Sequence, residues 1–529
     1  MAASSAVWSA ASSTAPPTAP PVTSAAASDV EGKHTGVQVG DTKQRLLLLV
    51  LDGLGWAPEG EHNPLSEADI PFISRLAEDV PPTLLEASGS VVGLPPGQVG
   101  NSEVGHLTIG TGRTIPQASV KIRDTITGGG FRGCPALADV FARSRAGGTP
   151  VHVIGIASEG GAHGHIDHIG AVLDLAEEYG WSDRTYVHAV SDGRDVPART
   201  ALHDLAQLEK RGARLATVVG RKLAMDRSGR ADRTESVVAA LTGANGAPGT
   251  TGDWRAAVQE HYAAGVTDEH LPPLVLDAPR IAPGDEIVMT NFRPDGLRQL
   301  ATALAATGRP LTTMTRYSDD IPASVVFDQE HVDGTLAQAV AAAGLAQVHI
   351  AEREKYGHVT YLLNGYTQQR QAGERHIMVA SRTDVPSFDL APEMSAREIT
   401  ERLIGELRSG EAQFLVANIA NIDTVGHTGN YDAVRQAAEV VDACLRDIAA
   451  AAAEHGAYLL VTADHGNGES MREADGVTPS TRHTTSPVPL WLLGADRALA
   501  PSGDLRDIAP TCLHLLGIEP PAAMSGRVL

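Results

Sequence analysis

At 529 residues the chain is long enough for two or more domains with real hydrophobic cores. It is 42% apolar and 20% charged, the balance of a globular protein, and no apolar run approaches the roughly 18–20 residues that a membrane span needs. A formal net charge of −22 excludes a surface made for nucleic acid or anionic membrane, so an anionic ligand would need cations gathered locally.

In chain order, residues 1–43 are rich in Ala, Ser, Thr and Pro and poor in large apolar groups. Such a segment buries too little to offset its ordering entropy, and a disordered tail is expected there. With no arginine before Arg45 and no continuous apolar stretch, it does not read as a targeting peptide. Order is expected from Arg45-Leu-Leu-Leu-Leu-Val-Leu-Asp52-Gly, a buried parallel strand with an acid at its carboxyl end. A Gly-rich stretch follows, Gly93-Leu-Pro-Pro-Gly-Gln-Val-Gly-Asn-Ser102-Glu-Val-Gly-His106. Three further strands are expected from Val151, Thr185 and Arg214, with surface loops at 245–253 and 271–284. Helical periodicity marks 395–408 and 431–454. Between and after these, Phe414 to Asp423 and Ala457 to Asp464-His465 repeat the design of an apolar strand ending in an acid. Strand–helix alternation of this kind predicts an α/β fold with a largely parallel sheet.

Cys134, Cys444 and Cys512 are far apart and form no CxxC pair, so neither a disulfide framework nor a zinc knuckle is expected, which favours a reducing, cytoplasmic setting. The lysine count is low, six against 36 arginines, so a lysine kept inside a motif is informative.

Four groups stand out chemically: Asp52; Asp423 with His427; Asp464-His465; and His483. Singly, each has an ordinary reading as a turn, a cap or a hydrogen-bonded histidine. Together they sit where ligands of α/β sheets gather, at the carboxyl ends of strands. Carboxylates and imidazoles without thiolates suit Mn²⁺, Zn²⁺ or Mg²⁺, and there are too many for one tetrahedral site. Two ions flanking a phosphoryl group would use them all. Ser102 reads equally as a helix N-cap or as a hydroxyl activated by metal.

The motifs Gly-Leu-Pro-x-Gly-Gln-x-Gly-Asn-Ser-Glu-Val-Gly-His, Thr-Ala-Asp-His-Gly-Asn and His-Thr-Thr-x-Pro-Val-Pro resemble those of the cofactor-independent phosphoglycerate mutases of the alkaline phosphatase superfamily, in order from about residue 46 to Leu529. The resemblance implies two α/β domains. One is a discontinuous phosphatase-like domain (44–117 and 332–529); the other is an inserted substrate-binding domain (118–331). It implies one metal held by Asp423, His427 and His483, and a second by Asp52, Ser102, Asp464 and His465, most readily Mn²⁺. No 2,3-bisphosphoglycerate would be needed. Ser102 would carry the phosphoryl group, with Lys355 beside it. His163, Arg194, Asp195, Arg221, Arg227 and Arg293 would hold a small anionic phosphorylated substrate, and the chain would act as a monomer. These cations supply the local pocket that an acidic chain needs, since arginine forks pair bidentately with carboxylate and phosphate.

One departure concerns substrate. The family's Arg-Pro-Asp-Arg is here Arg293-Pro-Asp-Gly296, with Arg298 two residues on. Arg353, Gly357, Ile422, Glu159, Gly164 and Ser486 also differ from the pattern. The departures leave open a paralogue acting on a related three-carbon acid, or a phosphatase.

Overall fold

The structure is a computed structural model and describes residues 45–529 apart from Glu59, Glu61, Asn245 and Ala474. The expected tail at 1–43 lies outside the described residues. The chain divides into two compact units. The first comprises the described residues up to Ile115 together with His331–Leu529, and the second is Pro116–Glu330.

In chain order the strands are β1 (Arg45–Leu51), β2 (Thr83–Glu86), β3 (Val151–Ile156), β4 (Thr185–Ser191), β5 (Arg214–Gly220), β6 (Leu274–Val275), β7 (Glu286–Met289) and β8 (Leu311–Thr313). They continue with β9 (Ser324–Val325), β10 (Gln347–Glu352), β11 (Glu374–Val379), β12 (Phe414–Ile419), β13 (Ala457–Thr462), β14 (Val488–Leu493) and β15 (Ser502–Asp504). The first unit holds a sheet in the order β11-β10-β12-β1-β13-β14-β2-β15, parallel from β11 to β13. The second holds a sheet in the order β6-β5-β4-β3-β7-β8-β9, parallel except at β6.

β1 lies at the centre of its sheet because Leu46 to Leu51 is apolar on both faces, and every one of these side chains is buried. At about 1.5–3 kcal/mol per buried aliphatic side chain, this strand is a main anchor of the first core. Its neighbours are in parallel register, Val50 opposite Asn418 on one side and Thr462 on the other. The carboxyl ends of β12, β1 and β13 therefore lie side by side. The helix Tyr431–Glu454 starts on an Asn430 cap that accepts from the Ala433 amide, and it buries an Ala/Val/Leu stripe in the same core.

Two expectations change. The strand expected to run through Asp423 stops at Ile419, and Asn421–Gly426 turns into a short helix. That turn brings the Asp423 amide onto the Asp52 carbonyl at 3.1 Å. The loop expected at 271–284 contains β6, because the apolar pair after two prolines pairs with the edge of β5 and is buried.

Candidate metal centre and anion clamp

Three strand ends and two loops of the first unit converge on one cluster. Asp52 follows β1, Asp464 and His465 follow β13, and Asp423 sits in the short helix after β12. Gly53 takes a left-handed φ of 78°, and a Cβ there would lie 2.8 Å from Asp423, so the close approach of the two loops requires glycine. Ser102 is the first residue of the helix Ser102–Thr111. Its N-cap is Asn101, whose side chain accepts from the Val104 amide. The capping task therefore falls to Asn101, and the Ser102 hydroxyl is free to face the cluster.

That hydroxyl lies 2.6 Å from Lys355 Nζ, 2.9 Å from His465 Nε2 and 3.4 Å from Asp52 Oδ1. Lys355 Nζ also reaches Asp52 Oδ1 at 2.9 Å and Asp423 Oδ2 at 2.7 Å. Burial alone would lower the Lys355 pKa, but the carboxylates of Asp52, Asp423 and Asp464 outweigh it and hold the ammonium charged well above its usual range. Burial, reinforced by Asp464, pushes Asp52 upward.

The histidine tautomers show what the cluster is built for. His427 Nδ1 donates to the Thr481 carbonyl and His483 Nδ1 to the Gly100 carbonyl, both at 2.8 Å. Each Nε2 is therefore bare in the neutral ring, yet the two face each other at 3.1 Å. His483 Nε2 and His427 Nε2 also stand 3.1 and 3.4 Å from Asp423 Oδ1. His465 Nε2 lies within 3.5 Å of Asp52 and Asp464. Lone pairs aimed at one another and at carboxylates repel unless a cation stands between them. Asp464 Oδ2, wholly buried, has no hydrogen-bond donor: His106 Nδ1 is 3.2 Å away but donates to the Ser102 carbonyl. The residues fit divalent metal. Donor atoms within reach of a single ion form two overlapping groups, Asp423–His465–His483 and Asp52–Asp464–His465, with His427 completing the first.

Two residues that sequence reasoning did not assign orient these side chains. Asn418 Nδ2 bonds Asp52 Oδ2 at 2.7 Å and His106 Nε2 at 3.0 Å, and Asn467 Nδ2 bonds Asp423 Oδ1 at 2.9 Å. The signal for Asn418 was an amide inside the otherwise apolar strand Phe-Leu-Val-Ala-Asn-Ile.

In the second unit His163, Arg227 and Arg293 gather around Asp295. Arg227 reaches His163 Nε2 at 2.8 Å and Asp295 Oδ2 at 3.1 Å, and Arg293 reaches the same carboxylate oxygen at 3.4 Å. Burial and the charges of Arg221 and Arg293 lower the His163 pKa to about 4, so the ring is neutral at pH 7. Arg221 is buried between Asp192 and Asp195, at 2.5 Å from each. Arg194 is not drawn in: its guanidinium is exposed, 3.8 Å from Glu269. Gly296 lies in the first turn of the helix Pro294–Ala305, where a Cβ would lie 2.5 Å from Met225 Cε and 3.6 Å from His163 Nδ1. Arg298 is two positions further, about 200° round the helix, and exposed, so it cannot stand in for a side chain at 296.

A family model described as the metalloenzyme superfamily matches residues 44–520. A 2,3-bisphosphoglycerate-independent phosphoglycerate mutase of Gloeobacter violaceus is 40% identical over 91% of this chain and 94% of its own length. The corresponding mutase 1 of Methanosarcina barkeri is also 40% identical, over 92% and 98%. The chain belongs to the 2,3-bisphosphoglycerate-independent phosphoglycerate mutases. A crystal structure of Leishmania mexicana phosphoglycerate mutase at low cobalt concentration superposes with a TM-score of 0.67 at 28% identity, covering 92% of this chain and 98% of that one. As a mutase of the metalloenzyme superfamily, the chain is a metal-dependent isomerase with the α/β architecture expected from its strand–helix alternation. Among the described residues, no helix is long and apolar enough to cross a membrane.

Proposed function

We propose that the chain interconverts 2-phosphoglycerate and 3-phosphoglycerate through a phosphoserine at Ser102, with two divalent ions, Mn²⁺ the best fit. Asp423, His427 and His483 hold one ion, and Asp52, Ser102, Asp464 and His465 the other. When bound, the ions supply Lewis acidity that lowers the pKa of the serine hydroxyl and offsets charge on the phosphoryl oxygens. The observation that carries this reading is the Ser102 hydroxyl set between the bare His465 Nε2 and the buried Lys355 ammonium, in the cluster that also holds the facing Nε2 atoms of His427 and His483.

The chain's own residues supply the rest. Ser102 Oγ forms a bond to phosphorus as the substrate's ester P–O bond breaks, and the serine proton balances the glycerate oxygen released. Lys355 directs its charge at the phosphoryl group where negative charge builds. The arginine forks of Arg221, Arg227 and Arg293 and the neutral His163 are assigned to the carboxylate and hydroxyls of glycerate, which keeps it in place until its other hydroxyl takes the phosphoryl group back. The chain acts alone on this small anion.

The test is an assay with Mn²⁺ and 3-phosphoglycerate, without 2,3-bisphosphoglycerate. Turnover to 2-phosphoglycerate in the usual enzyme range of about 1–10³ s⁻¹, lost in Ser102→Ala, is expected. Release of free phosphate in its place would make the chain a phosphatase, and undiminished activity in Ser102→Ala would remove the nucleophile.

A further inference from the structure

The far edge of the first unit's sheet carries a second group of ligating side chains. His349 on β10 stands opposite His376 on β11 in register, and Glu374 shares the face of His376 two residues before it. One donor atom from each lies within 4.8 Å of the others. Glu374 Oε1 is 2.6 Å from His376 Nε2 and 3.6 Å from His349 Nδ1. None of these residues belongs to the cluster around Ser102.

The tautomer of His349 follows from its neighbours. Gln347 Nε2 donates to the Ala337 carbonyl at 2.8 Å, which turns Gln347 Oε1 toward His349 Nε2 at 3.1 Å. That acceptor calls for a ring proton on Nε2, while the Val359 carbonyl oxygen, 2.6 Å from Nδ1, calls for one there too. A neutral ring has one proton, and with it on Nε2 the Nδ1 lone pair faces the Val359 carbonyl and Glu374. Such a group of oxygens and a bare nitrogen needs a cation among them, either a second proton on the ring or a metal ion. His349 is wholly buried, so no bulk water separates these facing lone pairs. Asn364, also wholly buried, donates Nδ2 to Glu374 Oε1 at 2.7 Å and leaves its Oδ1 without a partner.

We propose that His349 Nδ1, His376 Nε2 and Glu374 Oε1 form a third divalent-cation site, of the two-imidazole, one-carboxylate kind that Zn²⁺ takes, with the Val359 carbonyl as fourth ligand. Zinc–donor distances of about 2.0–2.2 Å set tetrahedral donors roughly 3.3 Å apart, a value that the observed separations bracket. An ion here ties β10 and β11 to the segment around Val359, four residues beyond Lys355. Tyr356, next to Lys355, contacts the same group through its hydroxyl, 3.4 Å from His376 Nδ1. The site is therefore a structural one that steadies the chain bearing Lys355.

The test loads the full chain with Zn²⁺, removes the excess by gel filtration and counts zinc by mass spectrometry. Crystals of the loaded chain are then measured at the zinc edge. Three zinc ions per chain are expected in the wild type and two in His376→Gln, with an anomalous peak within bonding distance of His376 Nε2 in the wild type only. Far-UV circular dichroism checks that the variant is folded; Glu374→Gln gives an independent second count. The peak decides: its absence, whatever the zinc count, overturns the proposal and leaves a proton shared between histidine and glutamate.

Discussion

Lys355 Nζ donates to Ser102 Oγ at 2.6 Å, and the same ammonium lies within 2.9 Å of both Asp52 and Asp423. One cation thus touches the proposed nucleophile and a carboxylate from each of the two candidate metal-binding groups. Lys355→Met removes the charge while roughly keeping the length of the side chain. Its kcat should fall by about 10²–10³, the usual loss when one electrostatic stabiliser of a transition state is removed. Lys355→Arg should not restore the rate, because a planar fork cannot replace a compact ammonium shared among three oxygens. Steady-state kinetics on both variants, with Mn²⁺ saturating, checks this.

The metal prediction follows from the facing imidazoles. Because His427 and His483 present bare Nε2 atoms 3.1 Å apart, the chain without metal should be strained at this point. Mn²⁺ at about 1,000 times its Kd should raise stability by roughly 4 kcal/mol per site. Chelation should abolish mutase activity, and Mn²⁺ should restore it. His483→Ala should remove most of the stabilisation that Mn²⁺ gives at that site, read as a smaller shift in Tm on titration.

Asn418 offers a subtler test, because it touches no reacting atom. Its amide bonds Asp52 Oδ2 and His106 Nε2, so Asn418→Leu leaves a buried carboxylate oxygen unpaired. Stability should fall by about 1–3 kcal/mol, and metal affinity by about 10–100-fold. Isothermal titration with Mn²⁺ measures the second effect. An unchanged affinity alongside lowered stability would reduce Asn418 to a packing role.

Stability should also depend on pH through His168 in the second unit. Burial, only partly opposed by its bond to the Thr290 carbonyl, lowers its pKa to about 4. In the unfolded chain the ring takes its proton near 6.5, before the folded chain does. Stability is therefore lost as pH falls from about 6.5 to about 4, and this contribution is constant outside that window. The full loss is on the order of 3 kcal/mol. His168→Gln should flatten that part of the profile, measured by urea unfolding at pH 7 and pH 4.5.

Much of the fold was legible because the chain announces its central strands: a mostly apolar run and then an acid, at Asp52 and again at Asp464. Asp423 was harder, since its strand stops at Ile419 and a short helix carries the carboxylate back over β1. Local pattern does not show that return. Local sequence alone left Ser102 divided between cap and nucleophile, because capping depends on which residue in Asn-Ser faces the helix amides, and the backbone assigns that task to Asn101. His349, Glu374 and His376 were invisible for a related reason. They come from different strands, and strand pairing, which no local spacing encodes, sets them together.

The last prediction concerns Gly296, where an arginine was expected. A side chain there would meet Met225 Cε, the free end of a flexible side chain, so Gly296→Arg should fold at a cost of about 1–3 kcal/mol for displacing that methyl group. Arg227 and Arg293 already share Asp295, and Arg221 is held by Asp192 and Asp195, so the proposed clamp has three guanidinium groups without position 296. If phosphoglycerate is the native substrate, a fourth should bring no large gain, because the site already binds glycerate with the cations it has. A rise of tenfold or more in mutase kcat/KM, about 1.4 kcal/mol of added transition-state binding, would mean that the wild-type pocket is shaped for a different acid. Kinetics of Gly296→Arg with 3-phosphoglycerate distinguishes the two outcomes, and a thermal melt of the same variant separates a failure of folding from a failure of binding.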